Sequence, residues 1–509
     1  MTGKHDAAIE ELGHVGELSS VPQRADAARA LALVLAYFLA YVLVRVVTPG
    51  ALDRDEAEIV YLTQELRLGY GTQPPLYAWL QWLVFSVFGI DRFALVILKA
   101  LVLAAAYVAM YQAGRPLAGR NAALAAAASL ALFPQIGWET LRIQTHSVLL
   151  TALACATLAC YVALLRKPDL PRYLLLGLLC GLGLQTKYNF GVFLAGIACA
   201  SLLVPEHRRV IWNRRRWTSA LPAALLAMLL LLPHGIWMAT HLDAAFAGTV
   251  EKMQAGVGSA SYPERVLGGL ASVLSAALSF IALPLLVYAA VCWPWRKEAV
   301  FQRRAAASRF FLAMYAAFAL MLAALALSGQ VGTIKERWMI PLLFSLPLAL
   351  FVMAPGLRTR AVCARIRRAA GVVALLWLLL LPARIWLWPA FGQVVMPHHP
   401  YAQLADAIRE RCPAAPTVVT ESLLSAGNVR FARPELRTLL LEDMTRDKTR
   451  LSGQVVLLTH ADAGAHWRHA FQERYPGARM LRQERLILPM RFGGPGNLSF
   501  DVACFAVPG

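Results

Sequence analysis

A chain of 509 residues with mean hydropathy +0.54 and only 16% charged residues is not a set of soluble domains, because apolar runs of about 20 residues recur along it. The formal charge of +19 does not point to nucleic acid, since Lys and Arg fall in short loops between apolar runs rather than on one contiguous face. A polytopic membrane protein fits both observations, with the basic excess reporting topology.

Residues 1–26 are mixed polar and lack a basic stretch running into an apolar core, so they read as a cytoplasmic segment ahead of an uncleaved signal anchor. Eleven candidate spans follow, at about 27–49, 93–113, 121–134, 145–165, 173–185, 190–204, 218–238, 267–293, 310–328, 338–354 and 370–389. Alternate loops collect the positive charge, among them Arg166, Lys167 and Arg172, then Arg214, Arg215 and Arg216, then Arg365, Arg367 and Arg368. The positive-inside rule makes these loops cytoplasmic. The acidic stretch 50–92, the loop 239–265, the short "GTIKER" segment and the tail after residue 390 then share the opposite face.

From about residue 393 the composition becomes that of a soluble α/β module, which gives domains at 1–26, 27–392 and 393–509. The tail reads as a helix "YAQLADAIRERC", short strands "PTVVTE", "LRTLLL" and "GQVVLLTH", a polar helix near 464–475, and closing strands "ARMLRQERLIL" and "LSFDVACFAV". Of the eight cysteines, only Cys412 and Cys504 fall in this tail, where an oxidising compartment allows a bridge between them. No Cys pair has metal-ligand spacing, and the sequence shows no metal site and no cofactor motif.

The stretch "LDRDEAEIVYLTQELRLGYGTQPPLYAWL" puts Asp53, Asp55, Glu56, Glu58 and Glu65 close to lipid. Ile59, Leu62 and Leu66 share one helical face, the pattern of a helix lying at the membrane surface. Asp53 capping that helix, with Asp55 and Glu56 complementing its dipole, explains acids in a first turn without any chemistry. The Pro-Pro turn and apolar, aromatic stretch that follow send the loop back toward lipid.

The run "DRDEAEIVY…LGYGTQPPLYAWL…VFGIDRFAL" resembles the first outside loop of bacterial family 39 glycosyltransferases, the GT-C group that includes protein O-mannosyltransferases and lipid A aminoarabinose transferases. The Asp-Glu-Ala start, the Gly-Tyr pair before Pro-Pro and the following Trp-Leu occur in the family's order. "RYLLLGLLCGLGLQTKYNFGVFL" and "KERWMIPLLFSLPLAL" extend the likeness, which covers about residues 30–390. It implies a mainly α GT-C fold with about eleven transmembrane helices and a small C-terminal α/β extracytoplasmic domain.

The resemblance also implies a reaction. A sugar passes from a polyprenyl-phosphate donor to an extracytoplasmic lipid, glycan or protein acceptor with inversion, on the outer side of a bacterial inner membrane. Asp55 matches the family's base position, with Glu56 as its supporting partner. Lys187, Lys335 and Arg337 match its basic positions and are candidates for the donor phosphate, and Arg142 joins them from its place in an outside loop. Tyr61, Gln73, Tyr77, His146 and Tyr188 are candidate substrate contacts. His146, with Thr145, stands where many relatives carry an Asp, and it either contacts the acceptor or caps its span. The alternatives are a transporter, whose polar groups belong near the midplane on broken helices, and a lipid-linked sugar ligase of another fold.

Overall fold

The structure, a computed structural model, describes residues 20–255, 261–442, 451–461 and 464–508. Residues 1–19 of the expected N-terminal segment lie outside the described residues.

Among the described residues, eight helices are long and apolar enough to cross a membrane: Ala28–Val47, Arg92–Ala118, His146–Arg166, Arg214–Thr240, Tyr262–Trp295, Ala306–Leu327, Glu336–Met353 and Arg360–Phe391. Each coincides with an expected span. A ninth is bent: Phe190–Leu203 meets Pro205–Ile211 at 105°, because Pro205 forces Val204 into extended backbone. The two remaining expected spans are not among these long apolar helices. Leu170–Leu184 has 15 residues, roughly 22 Å at helical rise against a hydrocarbon core of about 30 Å. The segment expected at 121–134 is the helix Arg120–Ala128 followed by a 3-10 turn Ser129–Leu132, with Phe133 extended ahead of Pro134.

Arg92–Ala118 and His146–Arg166 form the buried centre of the bundle, whereas Arg214–Thr240 lies on its periphery and exposes Leu221, Leu225, Leu229 and Leu232. That outer helix packs on Leu170–Leu184 at Gly177, where a Cβ would stand 2.2 Å from the Ala223 carbonyl oxygen. Glycine at that position lets the two backbones touch.

The C-terminal sheet has the order β2-β1-β3-β5-β4, with β1 Thr417–Thr420, β2 Arg437–Leu440, β3 Gly453–His460, β4 Arg479–Pro489 and β5 Asn497–Val507. β1 is parallel to both β2 and β3, while β5 runs antiparallel to β3 and β4. The strands and the flanking helices Tyr401–Arg411 and Gly464–Arg474 follow the sequence reading, which overlooked the helix Leu423–Ala432 between β1 and β2. A disulfide joins Cys412 to Cys504, tying the end of the Tyr401–Arg411 helix to β5.

The overlooked helix decides where the acidic loop sits. The loop helix spans Arg54–Leu62 and stops before Leu66, which is exposed. It does not lie free at the membrane surface as its apolar stripe predicts, because the Leu423–Ala432 helix covers it. At Gly427 a Cβ would fall 2.0 Å from the Ala57 carbonyl oxygen, so the backbones are in direct contact. Asn428 brackets Leu52, accepting from its N–H at 2.7 Å and donating to its carbonyl at 3.2 Å. Arg430 donates to the Val60 carbonyl. Gln64 exchanges two 2.9 Å bonds with the backbone of Thr438 in β2. The C-terminal sheet domain thus clamps the loop.

Candidate functional site

The acids of the loop have different partners. Asp53 occupies the N-cap position of the Arg54–Leu62 helix, yet its carboxylate makes no capping bond. It pairs with Arg384 at 2.9 Å and lies 3.6 Å from Arg142, so the capping role expected of it is replaced by a buried ion pair. Both oxygens of Glu56 accept from Arg45 Nη2 at 2.7 Å, and its Oε1 also takes Lys99 Nζ at 2.7 Å. Burial pushes the Glu56 carboxyl up, but Arg45 and Lys99 outweigh it and bring the pKa down to about 2. Glu56 is therefore a fixed anion buried inside the fold.

Asp55 is placed differently. Its Oδ2 lies 3.5 Å from Arg337 Nη1, and both side chains remain partly open. Arg337 comes from the 3-10 turn Glu336–Met339, with Lys335 immediately before it. Lys187 arrives from the turn between Leu184 and Phe190, where its Nζ donates to Ser147 Oγ at 2.8 Å. Burial and the Arg337 charge hold Lys187 down to about 8, against the upward pull of Asp55 and Glu58. Lys335 is lowered by the same two causes, with Lys252 and Arg54 adding to them. Cations in excess of anions depress one another in this way. Such a cluster is built to receive a further negative charge.

His146 and Tyr77 sit beside that cluster. Their rings are 5.3 Å apart, and the Leu76 N–H donates to the Gln185 carbonyl at 3.2 Å, joining the Tyr77 helix to the Lys187 turn. His146 Nδ1 is 3.2 Å from Thr145 Oγ1, while His146 Nε2 and the Tyr77 hydroxyl are buried with no partner among the described residues.

Arg142, Tyr61 and Tyr188 bond to other protein groups, and Gln73 is held through its backbone. Arg142 is spent on Glu139, at 2.9 Å, and on Asp53. The Tyr61 hydroxyl accepts from the Leu440 N–H at 3.3 Å, on the soluble domain. The Gln73 backbone closes a turn with Tyr70 through two 3.1 Å bonds. Tyr188 stacks on His234 and hydrogen-bonds to its Nε2 at 3.2 Å, and His234 Nδ1 donates to the Leu68 carbonyl at 2.7 Å. Tyr188 thus braces the loop wall.

Sequence reasoning missed Glu58 and Lys252 as members of the cluster, and Arg45, Lys99 and Arg384 as holders of the acids. Glu58 follows Asp55 by three residues, a visible signal. Arg45, Lys99 and Arg384 lie within apolar runs, where a charge calls for a named partner. Lys252 lies on the helix Leu242–Gln254, which the sequence offered only as an outside loop.

Comparisons with known proteins agree with this architecture. Residues 72–237 match the protein family described as dolichyl-phosphate-mannose-protein mannosyltransferase. The chain is 36% identical over 415 residues to the lipopolysaccharide core galacturonosyltransferase RgtB of Rhizobium johnstonii, covering 80% of this chain and 82% of the relative. It is 32% identical over 417 residues to the lipopolysaccharide core galacturonosyltransferase RgtA of the same organism, covering 80% and 81%. Among solved structures it is similar to ArnT from Cupriavidus metallidurans bound to undecaprenyl phosphate. That likeness has a TM-score of 0.59 at 12% identity, over 92% of this chain and 97% of that one, and it speaks for the fold alone.

Proposed function

The chain belongs to the family 39 GT-C membrane glycosyltransferases, and from that premise we propose that it moves a galacturonosyl residue from a polyprenyl-phosphate donor to a lipopolysaccharide acceptor with inversion. The site lies on the extracytoplasmic face of the bacterial inner membrane, with Asp55 as base. One observation carries the reading: Asp55 stands 3.5 Å from Arg337 where Lys187 and Lys335 also converge. A carboxylate that accepts the acceptor's hydroxyl proton and cations that hold the departing phosphate are the two requirements of this displacement. Galacturonic acid is favoured over a neutral hexose by the names of the two relatives, and an anionic sugar suits the excess of cations. The Cys412–Cys504 disulfide supports the outer face, because such bonds persist in oxidising compartments.

Purified protein with synthetic polyprenyl-phosphate galacturonic acid and lipopolysaccharide core as acceptor tests the proposal. The expected product carries the inverted anomeric configuration, and Asp55→Asn is expected to fold normally and lose transfer, since the amide keeps the shape but takes no proton at neutral pH. Near wild-type transfer by Asp55→Asn would remove it as base. Failure of every polyprenyl-phosphate sugar to react would remove the proposed donor.

A further inference from the structure

Glu58 is the acid of the loop helix that neither the fold nor the reaction has yet used. Asp53 is held by Arg384 and Arg142, Glu56 by Arg45 and Lys99, and Asp55 faces Arg337. Glu58 lies three residues after Asp55 on the Arg54–Leu62 helix, so helical spacing puts both carboxyls on one face, a single turn apart. The charges that face Glu58 come from four elements. Asp55 and Arg54 belong to its own helix, Lys252 to the Leu242–Gln254 helix, Arg337 to the Glu336–Met339 turn and Lys187 to the turn before Phe190.

We propose that Glu58 is the proton exit of the reaction, receiving from Asp55 the proton that Asp55 has taken from the acceptor. The proposal rests on the reading of Asp55 as base. In the first step the acceptor O–H bond breaks as its oxygen bonds to the anomeric carbon, and the proton goes to the Asp55 carboxylate. The bond from that carbon to the phosphate oxygen breaks with its electron pair on the leaving phosphate. Asp55 then gives its proton to the Glu58 carboxylate and returns to the ionised form, and Glu58 releases the proton to water. No other reactant is needed.

Two features of the site favour this role. Burial and the Asp55 charge push the Glu58 carboxyl up to about 7, in spite of Lys252, Arg54 and Arg337, and a proton acceptor works best when its affinity matches the operating pH. Each turnover also leaves a proton on a carboxyl surrounded by cations, and the next acceptor meets an active base only when that proton has gone.

The test uses the purified full-length protein with polyprenyl-phosphate galacturonic acid. Only ionised Glu58 can receive a proton, so wild-type kcat is expected to rise with pH through an inflection near 7. Glu58→Gln should lose the inflection and roughly 10- to 100-fold in kcat, with donor KM changed by less than about threefold. It should also show one fast turnover followed by a slow steady state, a burst that loss of packing alone does not produce. Glu58→Asp should keep the inflection and part of the rate. Glu58→Gln within about twofold of wild type, or a uniform loss at every pH without a burst, overturns the relay. If Glu58→Gln does not fold, absence of the inflection in wild type and in Glu58→Asp overturns it instead. An inactive Asp55→Asn beside a near-normal Glu58→Gln leaves the base standing and removes only the relay. An active Asp55→Asn beside an inactive Glu58→Gln removes both.

Discussion

Replacing Glu56 by Gln asks whether the second acid of the Asp-Glu pair serves the fold or the chemistry. In the wild type Glu56 faces two buried cations, with Arg45 Nη2 and Lys99 Nζ each at 2.7 Å, and all three side chains are almost wholly shielded from solvent. The amide leaves both cations without a counter-charge, a change that costs about 3–5 kcal/mol when one partner of a buried pair is removed. Proton affinity gives a second route to the same size. The fall of the Glu56 pKa from 4.5 to about 2 corresponds to about 3 kcal/mol, at about 1.4 kcal/mol per unit. Because the folded-state value is the lower one, the stabilisation is complete above about pH 4.5 and is lost as pH falls toward about 2. Thermal unfolding in detergent, followed by size-exclusion recovery, is expected to show Glu56→Gln melting well below wild type at pH 7. The gap should narrow between about pH 4.5 and 2, where wild type loses the same contribution. Glu56→Gln with Lys99→Met should recover part of the loss, since it removes one uncompensated charge. A Glu56→Gln protein that melts like wild type while losing transfer would refute the structural role and return Glu56 to the reaction.

Two further perturbations probe how the site is held and what it holds. Gly427→Ala puts a methyl group 2.0 Å from the Ala57 carbonyl oxygen, so the two helices must part. The expected cost is about 1–3 kcal/mol, with a fall in kcat because the displaced helix carries Asp55, and both are read from melts and initial rates. Arg337→Ala should weaken donor affinity or rate by roughly 10- to 150-fold, the range of a charge-assisted contact. Arg337→Lys should retain part of it and Arg337→Gln should fall near the Ala level, and equal activity of the Lys and Gln forms would show that charge is not what matters there.

The cluster also shows why membership could be read further than roles. The family resemblance singled out Asp55, Lys187, Lys335 and Arg337, and the structure brings these four side chains into one cluster. Its place in an expected outside loop made Arg142 a phosphate candidate, but its guanidinium pairs with Glu139 and Asp53. Tyr61 was read as facing substrate, yet it faces β2, because the covering helix Leu423–Ala432 turns that side of the loop helix toward the soluble domain.

What the sequence by itself determined is what depends on local composition and period: the apolar spans, the strands of the tail, the acidic loop and its family. Helix length limited even that, since the run read as a span at 121–134 is an α-helix only as far as Ala128, with a 3-10 turn after it. The tertiary structure decided which acids are locked in buried ion pairs. Asp53, Asp55, Glu56 and Glu58 are near neighbours in the chain, and nothing in their spacing separates them. Their fates differ because Arg45, Lys99 and Arg384 reach two of them from other helices, Arg384 from 331 residues along the chain. A buried charge is set by the counter-charge within about 4 Å, and only the packing of distant helices supplies it.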